Sequence, residues 1–170
     1  MKKFILTSIL LVVMVATSWA QTTSKFGYSW LIPSGWESDK IDKDEIYLTP
    51  KNEKKTVSFV SIKVFPTKDE ATAYEEAGRF MLRELGTKDE KAFDDAKTEM
   101  VNYNGVDAAL MTGAYLNDDL EFTDYKALLI FEKKRIVIVM GSVWDGGDMM
   151  EAAQWGQDID YILQSTKKSQ

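Results

Sequence analysis

The feature that most constrains the fold is an almost unbroken apolar run from Arg135 to Trp144, whose centre reads Ile-Val-Ile-Val-Met. A strand with one solvent-exposed face alternates apolar and polar side chains, whereas a strand buried on both faces has a continuous apolar sequence. The run therefore predicts a central strand in a sheet that is covered on both sides.

Several other segments read as strands that pair through short hairpins. In the second half of the chain, four strand-like runs follow one another at 96–103, 106–116, 120–131 and 135–144. Three earlier runs each end at a proline, which cannot donate to a sheet ladder, and lie at 26–32, 45–49 and 56–65. The dipeptide Asn104-Gly105 is a strong signal for a two-residue hairpin turn. Because hairpins dominate, the sheet is predicted to be mostly antiparallel.

Two segments have apolar residues at helical spacing instead, and they are predicted to form the helices that cover the two faces of the sheet. Apolar residues recur at three- and four-residue intervals over 68–85 and again from 148 to 165. Each segment begins with a capping-box pattern, Thr67 to Glu70 in the first and Asp148 to Glu151 in the second. The predicted order is β-β-β-α-β-β-β-β-α. The sequence thus predicts an α+β fold, a three-layer α/β/α sandwich with a mostly antiparallel sheet of about six to seven strands.

The amino terminus has the anatomy of an export signal. Two lysines precede a short apolar run, Phe4 to Ala16, and a small-residue cleavage site ends at Ala20. A membrane anchor is the alternative, but a spanning helix needs about 20 apolar residues and this run is shorter. We expect residues 1–20 to be a signal peptide and 21–170 to form a single exported domain. That domain is expected to be periplasmic or secreted, without stable membrane insertion after cleavage.

The composition excludes several kinds of chemistry. The chain has no histidine and no cysteine, which rules out imidazole general bases, thiolate nucleophiles, disulfides and Cys/His zinc sites. Its formal net charge is -6, and removal of the two signal-peptide lysines makes it -8. An acidic balance argues against nucleic-acid and anionic membrane partners, because both need a basic patch. The sequence carries no dinucleotide, phosphate-loop or serine-hydrolase motif, and no cofactor is predicted.

The ordered set of strands and helices resembles the PsbP-like family. The resemblance spans nearly all of 26–166 and depends on motifs at the opening strand, the third strand with the first helix, and the last strand with the last helix. The residues that carry it are Tyr28 to Pro33 with Trp36, Val60 to Thr67 with Tyr74 and Phe80, and Arg135 to Trp144 with Ile162 to Ser165.

What the resemblance implies is a three-layer α/β/α sandwich with an accessory or binding role. The fold group includes PsbP, the Ran-binding Mog proteins, bacterial chaperones of secreted effectors and exported bacterial proteins, and this chain is most similar to the exported bacterial members. The group has no shared catalytic set, so the resemblance implies a protein that is not an enzyme.

The main candidate binding site is the loop that follows the last strand. Trp144, Asp145, Asp148 and Met149 combine an aromatic ring, two carboxylates and an adaptable thioether around two glycines. Loops next to strand ends carry function more often than strands do. The alternative is a strand-to-helix turn in which Asp148 caps the helix.

A weaker candidate is a calcium site at Asp118, Asp119 and Glu121, because carboxylate oxygens suit that cation. The spacing is not that of a twelve-residue calcium loop, and a solvated hairpin tip is the alternative interpretation. No other metal site is predicted. A set of seven aromatic residues is predicted to pack mainly in the core, namely Tyr28, Trp30, Trp36, Phe59, Phe65, Tyr74 and Phe80.

These observations favour an exported, non-enzymatic accessory or binding protein that acts through a surface for an envelope protein or a small ligand. Two alternatives remain open at this point. The first is an exported hydrolase or lyase that uses carboxylates, and the second is a carrier with an apolar pocket between sheet and helix.

Overall fold

A computed structural model describes residues 20–52, 57–67, 70–116, 122–144 and 148–169. The early strands are β1 (Gln21–Lys25), β2 (Tyr28–Ile32), β3 (Trp36–Ile41), β4 (Glu45–Pro50) and β5 (Val57–Pro66). The helix α1 (Glu70–Glu84) and a short 3-10 turn (Glu90–Phe93) follow. The later elements are β6 (Lys97–Tyr103), β7 (Val106–Leu116), β8 (Phe122–Glu132), β9 (Arg135–Trp144), α2 (Met149–Gln164) and β10 (Lys167–Lys168).

Seven strands form one antiparallel sheet in the order β3-β4-β5-β9-β8-β7-β6. β9 is central and pairs along its whole length with β5 on one side and β8 on the other. Every residue from Ile136 to Val143 is buried, which is the pattern expected of a strand with two covered faces. The predicted α+β sandwich is confirmed.

The structure adds three strands, namely β1, β3 and β10, to the predicted order. β1, β2 and β10 form a separate small antiparallel sheet, and β3 extends the main sheet at one edge. β1 and β10 are short and polar, so they lack the alternation of apolar and polar residues that predicts a strand from sequence. β3 overlaps a stretch of alternating charges that reads as a connection, and a register shift between Ser38 and Lys40 interrupts its pairing.

Two apolar layers cover the main sheet. On one face α1 and the 3-10 turn bury a cluster that includes Phe65, Phe80 and Met140. On the other face α2 and the small sheet bury a larger cluster around Trp30 and Trp36. Six of the seven aromatic side chains predicted for the core are buried. The exception is Tyr74, which is 52% exposed and packs its ring on the exposed Phe131.

The Asn104-Gly105 turn has the conformation that the sequence predicts. Both residues have positive φ, at 52° and 81°, as a two-residue hairpin with right-handed twist requires. The Asn104 amide also donates to the carbonyls of Gln164 and Thr166, at 2.9 and 3.2 Å. This turn therefore also ties the β6–β7 hairpin to the end of α2.

A small polar network joins the two sheets. The buried Tyr28 hydroxyl of β2 donates to Glu132 Oε1 at 2.6 Å, and Arg135 holds the same carboxylate through Nε and, at 3.2 Å, through Nη2. The Arg135 hydrogen bond is the main reason that the pKa of Glu132 lies below its usual range, with Tyr28 adding to it. Burial and the adjoining carboxylate raise the pKa of the Tyr28 hydroxyl.

We expect this network to stabilise the protein in a pH-dependent way. Since folding lowers the pKa of Glu132, its contribution is present above the pKa of an unfolded glutamate, near 4.3, and is lost as the pH falls through the folded value. Urea unfolding between pH 3 and 7 should show Glu132→Gln less stable than wild type at pH 7, with the difference shrinking towards pH 3. The matched control is Glu75→Gln, whose exposed ion pair with Arg79 should matter little. A constant difference across the pH range would contradict the expectation.

Candidate functional site

The candidate site is an open groove of about 610 Å³ between α2 and the ends of β7, β8 and β9. Its floor comes from the sheet and its wall from the first two turns of the helix. The lining residues are Thr112, Gly113, Phe122, Asp124, Tyr125, Lys126, Val143, Met149, Ala152, Ala153 and Gly156. We call this surface the groove.

The strand register explains which side chains form the floor. Asp124 lies opposite Val143, and Lys126 lies opposite Gly141, so these residues share the sheet face that α2 covers. α2 packs most heavily on β9 and β2. The described residues leave open the corner of the sheet at the end of β7 and the start of β8.

The open corner exposes apolar side chains. Phe122 is 49% exposed, its direct strand partner Leu116 is 53% exposed, and Met149 at the start of α2 is 77% exposed. The facing helix wall is small, because it consists of Ala152, Ala153 and Gly156. Small residues opposite large exposed ones leave room for an apolar side chain from another molecule.

The charges around the groove are mainly negative. Asp124 is exposed on its floor. Asp148 caps α2 and accepts a hydrogen bond from the Glu151 amide at 3.1 Å. Lys126 is the cation of the floor, and its ammonium donates to Asp160 at 2.5 Å. A ligand group at the mouth of the groove therefore meets uncompensated carboxylate more readily than free ammonium.

The structure brings together only part of the predicted binding loop. Met149 lines the groove, and Asp148 stands beside it as the helix cap that the alternative interpretation required. Trp144 pairs with Thr123 and, because side chains alternate along a strand, lies on the opposite sheet face from Val143 and the groove. Its buried indole N–H finds no hydrogen-bond partner within the described ranges.

The remaining predicted residues lie outside the described ranges, namely Asp145, Asp118, Asp119 and Glu121. The binding and calcium roles assigned to them stay predictions. Sequence reasoning missed Phe122, Lys126 and the small helix wall as members of one surface. Phe122 follows an acidic stretch of sequence, and nothing in that local sequence indicates a site. The groove forms only because α2 crosses the sheet at this place.

A second polar cluster lies on the other face of the sheet. Glu45 and Glu84 are both largely buried, and Arg83 bridges them at 3.1 and 2.6 Å, while Lys63 holds Glu45 at 3.1 Å. Burial raises the pKa of Glu84, and the Arg83 hydrogen bond works against that rise. Two carboxylates and two cations compensate each other here, which is the composition of a structural ion-pair network.

Among the described residues, no group of three or more carboxylates is placed to hold a metal ion. In the same part of the chain, no helix has the length and apolar character needed to cross a membrane.

Comparisons with known proteins establish the fold and leave the function open. No family model matches the sequence, and no curated protein matches it. A solved protein from Bacteroides thetaiotaomicron matches with a TM-score of 0.53 at 12% identity, over 89% of this chain and 49% of that one. This chain thus spans about half the length of that protein.

The Ran-binding protein Mog1p of Saccharomyces cerevisiae matches with a TM-score of 0.51 at 11% identity, over 88% of this chain and 95% of its own. Cyanobacterial PsbP from Synechocystis has a TM-score of 0.48 at 16% identity, over 91% of this chain and 95% of its own. At these identities the likeness concerns the fold alone. The chain has a PsbP/Mog-like α/β/α sandwich, as its resemblance to that group predicts.

Proposed function

We propose that this is an exported accessory protein that binds a partner protein through the groove. The observation that carries the proposal is the open corner of the main sheet, where Phe122 of β8 and Met149 of α2 are both exposed and the rest of the helix wall consists of small residues. Exposed apolar side chains grouped around a concave surface are typical of protein–protein contact sites.

The groove favours a partner segment with an apolar side chain next to a basic one. The apolar side chain would enter between Phe122 and the wall at Ala152 and Gly156. A lysine or arginine beside it would reach Asp124 on the groove floor, or Asp148, which caps α2 directly before the lining residue Met149. Such a contact is charge-assisted and disfavours acidic competitors.

The alternatives have less support from the described residues. An enzyme that uses carboxylates needs a pair that is free to act, whereas Glu45 and Glu84 are both held by Arg83. A carrier needs an enclosed apolar cavity, whereas the groove is open and has Asp124 and Lys126 on its floor. The Ran-binding role of Mog1p, which shares the fold, agrees with a binding role here.

The test is capture of partners from the producing cell's envelope by wild type and by Phe122→Ser/Met149→Ser. We expect the double variant to lose at least about tenfold in recovery of a specific partner, since it removes the two exposed apolar contacts. The mass of the purified protein checks export, because cleavage after Ala20 gives an amino terminus at Gln21.

The matched control is Met100→Ser, which removes a 73% exposed apolar side chain from the edge strand β6. Its strand partner Ala109 alternates with Ala108 and Leu110 of the α2 side, so Met100 lies on the sheet face opposite the groove. Both variants should keep the wild-type melting temperature. Full recovery of every partner by the groove double variant would refute the groove as the binding surface.

A further inference from the structure

The positive charges of this acidic protein are concentrated at one end of the fold. Three segments far apart in the sequence meet at the turn between β8 and β9, at the opposite end of β8 from the groove. We call this surface the basic end, and it comprises Lys25, Lys133, Lys134, Arg135, Lys167 and Lys168.

Direct contacts hold the three segments together. In the small sheet Tyr28 lies between Lys25 of β1 and Lys168 of β10, so the two lysines flank one residue. The Ser169 amide donates to the Gly27 carbonyl at 2.9 Å, which fixes the carboxyl-terminal strand beside the β1–β2 turn. Arg135 Nη2 lies within 3.1 Å of the position that a Cβ at Gly27 would take.

Three of the described acids near these residues lie in ion pairs. Glu132 binds Arg135 and Tyr28, so its charge is compensated inside the network. At the neighbouring β3–β4 turn, Asp44 and Glu45 both contact Lys63, at 3.8 and 3.1 Å. The lysines of the basic end therefore keep a net positive potential within a chain whose formal net charge is -6.

The basic end is a projecting surface with aromatic rings beside it. Lys133, Lys134, Lys167 and Lys168 are all exposed. Phe131, two residues before the turn, is 45% exposed and packs against Tyr74, with ring centroids 5.9 Å apart. Lysines with adjoining exposed aromatic rings are the combination found where proteins rest on a bilayer surface.

The acidic balance of the whole chain argues against an anionic membrane partner, but the fold gathers lysines from three segments into a local basic patch. We propose that the basic end docks the protein onto an anionic phospholipid surface. A spread of lysines over one turn and the two edge strands of the small sheet suits a plane of headgroups. An acidic peptide would be better matched by a groove with fixed geometry. The proposal does not depend on the groove, which lies on another part of the molecule.

The test is flotation of the exported protein, expressed from the 170-residue sequence, with vesicles of phosphatidylcholine alone or with about 30% phosphatidylglycerol. We expect binding to the anionic vesicles to be at least about tenfold tighter, and to weaken strongly between 50 and 500 mM salt, because exposed charges are screened. Each surface lysine contributes roughly fivefold, so Lys133→Glu/Lys134→Glu/Lys168→Glu should lose at least about 30-fold.

The matched control is Lys88→Glu/Lys91→Glu/Lys97→Glu, which makes the same change in net charge at exposed lysines elsewhere. It should stay within about threefold of wild type. Equal losses in the two triple variants, equal binding to both vesicle compositions, or binding to a soluble acidic peptide without vesicle binding would each overturn the proposal.

Discussion

Trp36→Ala is expected to lower the free energy of unfolding by about 4 kcal/mol, since removal of a fully buried tryptophan side chain leaves a large cavity. Trp36 is 1% exposed, meets Trp155 of α2 edge-on with ring centroids 5.9 Å apart, and donates from Nε1 to Asp158 at 2.9 Å. It thus links the start of β3 to the middle of α2. Urea unfolding followed by circular dichroism measures the loss.

The matched variant is Trp36→Phe, which keeps an aromatic ring in the core and removes the hydrogen bond to Asp158. We expect it to cost about 1–2 kcal/mol, because Gln154 still donates to that carboxylate at 3.2 Å. Similar losses in the two variants would show that the hydrogen bond, and not the buried volume, dominates at this position.

Gly141→Val should destabilise the protein by about 3 kcal/mol and distort the groove. A Cβ at Gly141 would lie 2.4 Å from Ile159 Cγ2, and Ile159 is 2% exposed, so α2 has to move away from β9. Overpacking of a filled core typically costs 1–3 kcal/mol, and a branched side chain lies at the upper end. Thermal unfolding measures the loss, and partner capture should fall because the helix forms the groove wall.

The control is Gly78→Ala on α1, where an added Cβ meets nothing within 4 Å. Because alanine is the better helix former, this substitution should stabilise the protein by up to about 1 kcal/mol. If Gly141→Val proved as stable as wild type, the close packing of α2 on β9 would be disproved.

The sequence predicts the central features of the fold because they have strong local signals. The continuous apolar run of β9 requires two covered faces, and Asn104-Gly105 requires a hairpin, as the positive φ values confirm. The small sheet could not be predicted from the sequence, because β10 has only two residues and β1 is polar. Such strands are defined by their partner, here β2, and not by their own sequence pattern.

The candidate site was only partly predictable. The predicted helix start after a strand end places Met149 at the groove and makes Asp148 the helix cap. Trp144 seemed to be their neighbour in the sequence, yet strand alternation places it across the sheet from them. The sequence does not show which sheet face α2 covers, so it cannot show that Trp144 and Met149 lie on different faces. The basic end could not be predicted for a similar reason, since its lysines come from three separate segments that together span more than a hundred residues of sequence.

β8 acts as a rigid spacer between two separate contacts. Asp124 at the groove and Glu132 beside the basic end are eight residues apart on this strand, which corresponds to about 27 Å at a rise of roughly 3.4 Å per residue. That separation is more than three times the screening length of about 8 Å at physiological ionic strength. A protein that rests on lipid by one end would hold its captured partner well clear of the headgroups.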